Sequence, residues 1–110
     1  MQLEISRAEK SDWAIITPAG EIDLATVGQL EDELNSAIAE DVKHVVVDLT
    51  EVTFMDSTGL RALLSAHQSL GGAGRRLALV VAGGPVDRLL EISGVGQSIE
   101  IFSSIEAATA

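Results

Sequence analysis

The run His44-Val45-Val46-Val47-Asp48-Leu49 limits the fold more tightly than any other feature of the chain. A strand with one face in water alternates apolar and polar residues. This one barely alternates, so it reads as covered on both faces, the habit of a parallel sheet flanked by helices. Residues 77–81, Leu-Ala-Leu-Val-Val, make the same demand. Helical stripes stand between and beside these runs. Val27, Leu30, Leu34 and Ile38 recur at helical spacing, as do Leu60, Leu63, Leu64 and Leu70, with Gly71-Gly72 ending the second stripe. Gly83-Gly84-Pro85 opens a third helix, with Pro85 near its first position, Val86, Leu89 and Leu90 facing inward, and Gly94 closing it.

At the front, residues 3–8 and 13–18 are β-prone runs separated by the polar cluster Glu9-Lys10-Ser11-Asp12, which predicts an antiparallel hairpin. At the back, a short strand at 99–102 precedes Ser103, which with Glu106 fits a capping box opening an Ala-rich helix that runs to Ala110. The order β-β-α-β-α-β-α-β-α predicts an α/β fold. Its sheet is mixed and mainly parallel, of four to five strands flanked by about four helices, with right-handed crossovers and the N-terminal hairpin at one edge. Residues 1–110 read as a single domain, since 110 residues leave room for one core and no repeat or linker divides them. With aromatics at 3% and no cysteine, that core is built from Val, Ile, Leu and Ala without a disulfide, and a thiolate nucleophile is excluded.

Charge narrows the partners. Seven Lys and Arg against 17 Asp and Glu give a net charge of −10, which repels phosphate backbones and anionic lipid heads. Nucleic acid and membrane surfaces are therefore not expected partners. The imbalance is local: Glu21, Asp23, Glu31, Asp32, Glu33, Glu40, Asp41, Asp48, Glu51 and Asp56 meet one base, Lys43. Such a face suits solubility or a basic patch on a protein partner. Met1-Gln2-Leu3-Glu4 carries no basic lead into an apolar run, and no apolar stretch approaches the ~18 residues of a membrane span, so the chain reads as soluble and cytoplasmic.

Little in the chain looks catalytic. His44 and His67 fall on different elements, which argues against zinc, and no cofactor is called for. Asp23, Asp48 and Asp56 could gather at strand ends around magnesium, but nothing in their spacing demands it. Ser57 sits at a strand-to-helix turn like a hydrolase nucleophile, yet Met55-Asp56-Ser57-Thr58-Gly59 lacks the first glycine of that motif. His67 lies ten residues along the same helix, displaced by about 15 Å. Gly83-Gly84-Pro85 has neither the lysine nor the hydroxyl of a phosphate loop.

One constellation remains, residues 48–64, joining the central strand to the second helix. Asp56, Ser57 and Thr58 are three cap-type residues where one suffices, worth about 1 kcal/mol. Gly59 follows where a helix former would be better by about 0.8–1.0 kcal/mol. A hydroxyl at a helix start is exposed and held by backbone, and glycine allows close approach, so the turn suits a modifying enzyme or a protein partner.

The Asp56-Ser57-Thr58-Gly59-Leu60 stretch resembles the signature of the STAS domain and of its stand-alone bacterial members, the anti-anti-sigma factors (anti-sigma factor antagonists). The resemblance spans the chain. It includes Gly20-Glu21-Ile22-Asp23, residues 88–95 (Arg-Leu-Leu-Glu-Ile-Ser-Gly-Val), and Ile101-Phe102 before Ser104-Ile105-Glu106-Ala107-Ala108. It implies a protein that binds an anti-sigma factor, itself a serine kinase, and so frees sigma for transcription. It also implies phosphorylation at the serine after the aspartate, Ser57 here, which ends binding, and a PP2C-type phosphatase that resets it. The expected partner-binding set is Asp23, Asp56, Ser57, Thr58, Gly59, Leu60 and Arg61, with Thr58 as cap or kinase contact and a weak homodimer left open. A STAS subunit of a lipid-transport or stressosome-type complex, and a small nucleotide-binding or hydrolytic enzyme using Asp23, Asp56 and Ser57, are the competing readings.

Overall fold

Strands β1 (Leu3–Lys10) and β2 (Trp13–Ile22) form the expected antiparallel hairpin, turning at Ser11-Asp12 with Ser11 in the left-handed region at φ 54°. The computed structural model describes residues 2–40 and 43–110; Met1 and Asp41, named in the sequence reading, lie outside the described residues. After the hairpin come α1 (Val27–Ala39), β3 (His44–Asp48), β4 (Val52–Met55), α2 (Ser57–Gly72), β5 (Leu77–Val80), α3 (Pro85–Ser93), a 3-10 turn at Val95–Gln97, β6 (Glu100–Phe102) and α4 (Ile105–Ala108).

The sheet is mixed and mainly parallel, in the order β1-β2-β3-β5-β6. The strand absent from the sequence reading is β4, which raises the total from the expected four or five to six among the described residues. Its reason lies in β2, which is ten residues long. The first part of β2, Trp13–Ile16, pairs in parallel with β3, and the last, Gly20–Ile22, pairs in parallel with β4 across a register shift at Gly20/Glu21. Four residues with little pattern of their own become a strand because a long neighbour offers them an edge. Gly20 sits at φ +124°, and a Cβ there would stand 2.3 Å from the Gln2 carbonyl oxygen, so only glycine fits this crossing.

The two-sided burial expected of β3 is met by alternate residues. Val45 and Val47 join the larger cluster, beneath α1, α2 and α3, with Ile16, Leu30, Leu63, Leu79 and Leu90. Val46 joins Trp13, Ile15, Ala78, Val80 and Ala108 on the opposite face, under α4. The helical stripes are centred slightly off the expected lines. In α1, Ala37 is buried and Ile38 only half-buried; in α2, Gly59, Ala62, Leu63, Ala66 and Leu70 are buried while Leu60 and Leu64 are half-buried. Small residues at 59, 62 and 66 let the helix lie close against its neighbours, which moves the bulky leucines to the rim.

Two helix ends differ from the sequence reading. Helix α2 runs through Gly72; Gly74, at φ +72°, makes the turn, and the Arg75 amide returns to the Leu70 carbonyl at 2.8 Å. Arg75 then donates to the carbonyls of Ile38 and Lys43, tying α1 and the start of β3 to this corner. The last helix is capped by Ser104, not Ser103, its hydroxyl accepting the Ala107 amide at 3.1 Å, and it ends at Ala108. Burial of Ala108 against the sheet sets that register one residue later than the pattern suggested.

At the far end of the sheet from α2's start, Trp13, His44 and Arg76 meet: the Trp13 and His44 rings lie 5.0 Å apart, tilted by 45°, and the Arg76 guanidinium is 5.2 Å from the Trp13 ring. His44 Nδ1 accepts the Arg76 amide at 3.0 Å, which requires a neutral ring. Burial first, then the charges of Arg76 and Lys43, push its pKa below the ordinary value, with Asp12 opposing and Arg75 adding to the fall. The unfolded chain therefore takes up this proton at higher pH than the folded one, so stability is lost as pH falls through about 6.5 and on through the folded value. Denaturant midpoints taken between about pH 7.5 and about pH 5.5 are expected to fall, with a shallower fall in His44→Gln. Equal slopes in the two chains would remove His44 from the account.

Candidate functional site

The C-terminal ends of β2 and β4 lie side by side, because Ile22 is paired with Met55 and the Asp56 amide donates to the Ile22 carbonyl at 3.2 Å. Each strand then turns into a helix through an aspartate. Asp23 Oδ1 accepts the amides of Ala25 at 2.9 Å and Thr26 at 3.2 Å. Thr26, the buried N-cap of α1, donates its hydroxyl to the Glu21 carbonyl at 2.7 Å, and the Asp23 carbonyl takes the amide of Val27 at 2.8 Å. Asp56 is the N-cap of α2: its Oδ1 accepts both the amide of Thr58, at 2.9 Å, and the Thr58 hydroxyl. The Thr58 hydroxyl holds the Asp56 carboxyl below the usual carboxylate range, the amides of Thr58 and Gly59 helping and burial opposing.

The residues singled out from the sequence thus divide. Asp23, Asp56, Ser57 and Thr58 are brought together at adjacent strand ends. Ser57, the first residue of α2, is exposed, and its hydroxyl makes no hydrogen bond among the described residues. Arg61, one turn on, is exposed and makes no ion pair among the described residues. Leu60 is half-buried and packs on the main core. Gly59, expected to face a partner, is buried instead: a Cβ there would stand 2.5 Å from Met55 Cγ and 2.9 Å from Ile22 Cγ2. Its lack of a side chain serves the seating of α2 on the ends of β2 and β4. The cap is Asp56; Thr58 is what it holds.

Apolar residues that the sequence reading passed over surround this tip. Leu24 is 80% exposed, directly after Asp23, and Phe54, two residues before Asp56, is 45% exposed. Ile92 of α3, 79% exposed, joins Phe54, Met55, Pro85, Arg88 and Leu89 in an open groove of about 430 Å3 between β4 and α3. The signal was present in the spacing: Leu24 precedes the inward stripe of α1, and Ile92 lies off the Val86/Leu90 face of α3. On the other side of the tip, Glu31 and Asp32 face Ser65 and Ser69 across a polar groove between α1 and α2. Asp48 is occupied with the Thr50 amide at 3.0 Å, and no cluster of three or more acidic or histidine side chains is placed for a metal among the described residues. No described helix is long and apolar enough to cross a membrane.

The STAS domain family model matches residues 4–108. The chain belongs to the STAS domain family. Among STAS relatives, the anti-sigma-B factor antagonist of Listeria monocytogenes is 35% identical over 102 residues, covering 92% of this chain and 90% of the relative. The crystal structure of an anti-sigma factor antagonist from Mycobacterium paratuberculosis superposes with a TM-score of 0.92 at 22% identity, over 98% of this chain and 92% of the other. The Bacillus cell fate determinant SpoIIAA in its phosphorylated form superposes with a TM-score of 0.73 at 22% identity, over 96% of each chain. These structures share the STAS fold with this chain.

Proposed function

We propose that this STAS domain is an anti-sigma factor antagonist: unmodified, it binds an anti-sigma factor that is also a serine kinase and so releases the sigma factor. Phosphorylation of Ser57 by that kinase ends the binding, and a PP2C-type phosphatase restores it. The protein acts as a cytoplasmic binding module without catalysis of its own. The observation that carries the reading is the exposed hydroxyl of Ser57, without a hydrogen bond among the described residues, at the first position of α2 and beside the capping carboxylate of Asp56. The name of the Listeria relative supports the antagonist role.

The geometry explains how one phosphate can act without unfolding anything. A phosphate adds about −1.5 to −2 charge, and at a helix N-terminus the dipole favours it by about 0.3–1 kcal/mol. The fold tolerates it. A partner seated over Leu24, Phe54 and Ser57 does not, since a hydrated dianion beside Asp23 and Asp56 replaces a small hydroxyl in a close contact. Incubation with the cognate anti-sigma kinase and ATP is expected to place one phosphate on Ser57, read by mass spectrometry, and Ser57→Ala is expected to abolish it. Undiminished labelling of Ser57→Ala would move the switch elsewhere.

A further inference from the structure

Two hydroxyls stand next to each other at the start of α2, and they differ in freedom. That of Ser57 is exposed and unbonded among the described residues, whereas that of Thr58 donates to Asp56 Oδ1, the same oxygen that holds the Thr58 amide at 2.9 Å. Thr58 is half-buried and joined twice to one carboxylate. A phosphate on Thr58 requires that hydroxyl to leave its acceptor and sets a dianion against the Asp56 carboxylate that caps the helix. A phosphate on Ser57 breaks neither bond.

We propose that Asp56 is a positioning residue that decides the acceptor: by holding the Thr58 hydroxyl in the helix cap, it confines phosphoryl transfer to Ser57. The inference rests on the phosphorylation reading above. In that transfer Ser57 Oγ forms the new O–P bond, the bond from the γ-phosphorus to the ADP oxygen breaks, and the hydroxyl proton passes to a base on the kinase. Asp56 takes no part in the bond changes. Its effect is to withhold the neighbouring nucleophile. The depressed pKa of its carboxyl, caused first by the Thr58 hydroxyl, agrees with a bond formed to the ionised side chain.

Two measurements test this, one of which needs no kinase. Carbon-detected NMR titration of the Asp56 carboxyl is expected to give a pKa below the ordinary value in the wild type and in Ser57→Ala, and an upward shift in Thr58→Val. An unmoved Asp56 titration in Thr58→Val means the hydroxyl is not held, and overturns the proposal. For the second, phosphosites are mapped by mass spectrometry on chains recovered from the native host. The expected pattern is phosphate on Ser57 alone in the wild type, none in Ser57→Ala, and phosphate gained on Thr58 in Asp56→Ala/Ser57→Ala, with helix content checked by circular dichroism. Phosphate on Thr58 in Ser57→Ala with Asp56 intact overturns this inference and leaves the assignment of Ser57 standing. A double variant that folds and stays unmodified overturns it too, assigning the restraint to another group. A wild type with phosphate on neither residue overturns the phosphorylation reading, and this inference with it.

Discussion

Ser57→Asp is expected to weaken capture of the anti-sigma factor by about ten- to a hundredfold while leaving the circular-dichroism spectrum unchanged. The size follows from where the charge lands. Ser57 is exposed, so the free protein solvates the added carboxylate at little cost, and the helix dipole favours it. On binding, that carboxylate must lose water beside Asp56, whose own charge is fixed in the cap, and near Asp23 at the neighbouring strand end. Calorimetric titration of wild type and Ser57→Asp with the anti-sigma factor measures the difference directly. Equal affinities would show that the partner does not seat over this hydroxyl. Ser57→Ala, which adds no charge, is expected to bind as the wild type does and so separates charge from the mere loss of a hydroxyl.

Gly59→Val is expected to be the most damaging small-to-large change at the tip. Replacing a helical glycine by alanine normally gains about 0.8–1.0 kcal/mol, but here the first added carbon meets Met55 Cγ at 2.5 Å, Met55 Sδ at 2.8 Å and Ile22 Cγ2 at 2.9 Å. Met55 can swing its sulfur aside, whereas the branched Ile22 is fully buried in the last position of β2. Valine has two further carbons to place and less helix propensity to offset them, so overpacking of about 1–3 kcal/mol dominates. The melting temperature is expected to fall by roughly 5–15 °C. Thermal denaturation read by far-UV circular dichroism checks it, and a wild-type melting point would mean that α2 has slack against the sheet.

How much of this could be read in the amino-acid order depends on whether the cause is local. The two-sided burial of β3 was legible because Val45, Val46 and Val47 carry it themselves. So were the α3 boundaries, where Pro85 opens the helix and left-handed Gly94, at φ 75°, closes it. The strand Val52–Met55 was not, since its identity comes from pairing with residues more than thirty positions earlier. The site shows the same divide. Asp56, Ser57 and Thr58 were visible as cap-type residues with an exposed hydroxyl among them, and the nearness of Asp23 was anticipated, but which of the three caps the helix was not. The inward role of Gly59 depends on Met55 and Ile22 meeting it from two strands, which no local pattern encodes. Leu24 stood in the turn before α1 and Ile92 off the buried face of α3, a signal that was present and passed over.

The shared edge of β2 has a kinetic meaning as well. Because the turns at Asp23 and Asp56 hang from adjacent residues of hydrogen-bonded parallel strands, they form one stiff plate already shaped before any encounter. A docking protein then has few loops to order, so association loses little conformational entropy and recognition can be quick and reversible. That combination suits a component whose bound and free populations must follow a changing signal.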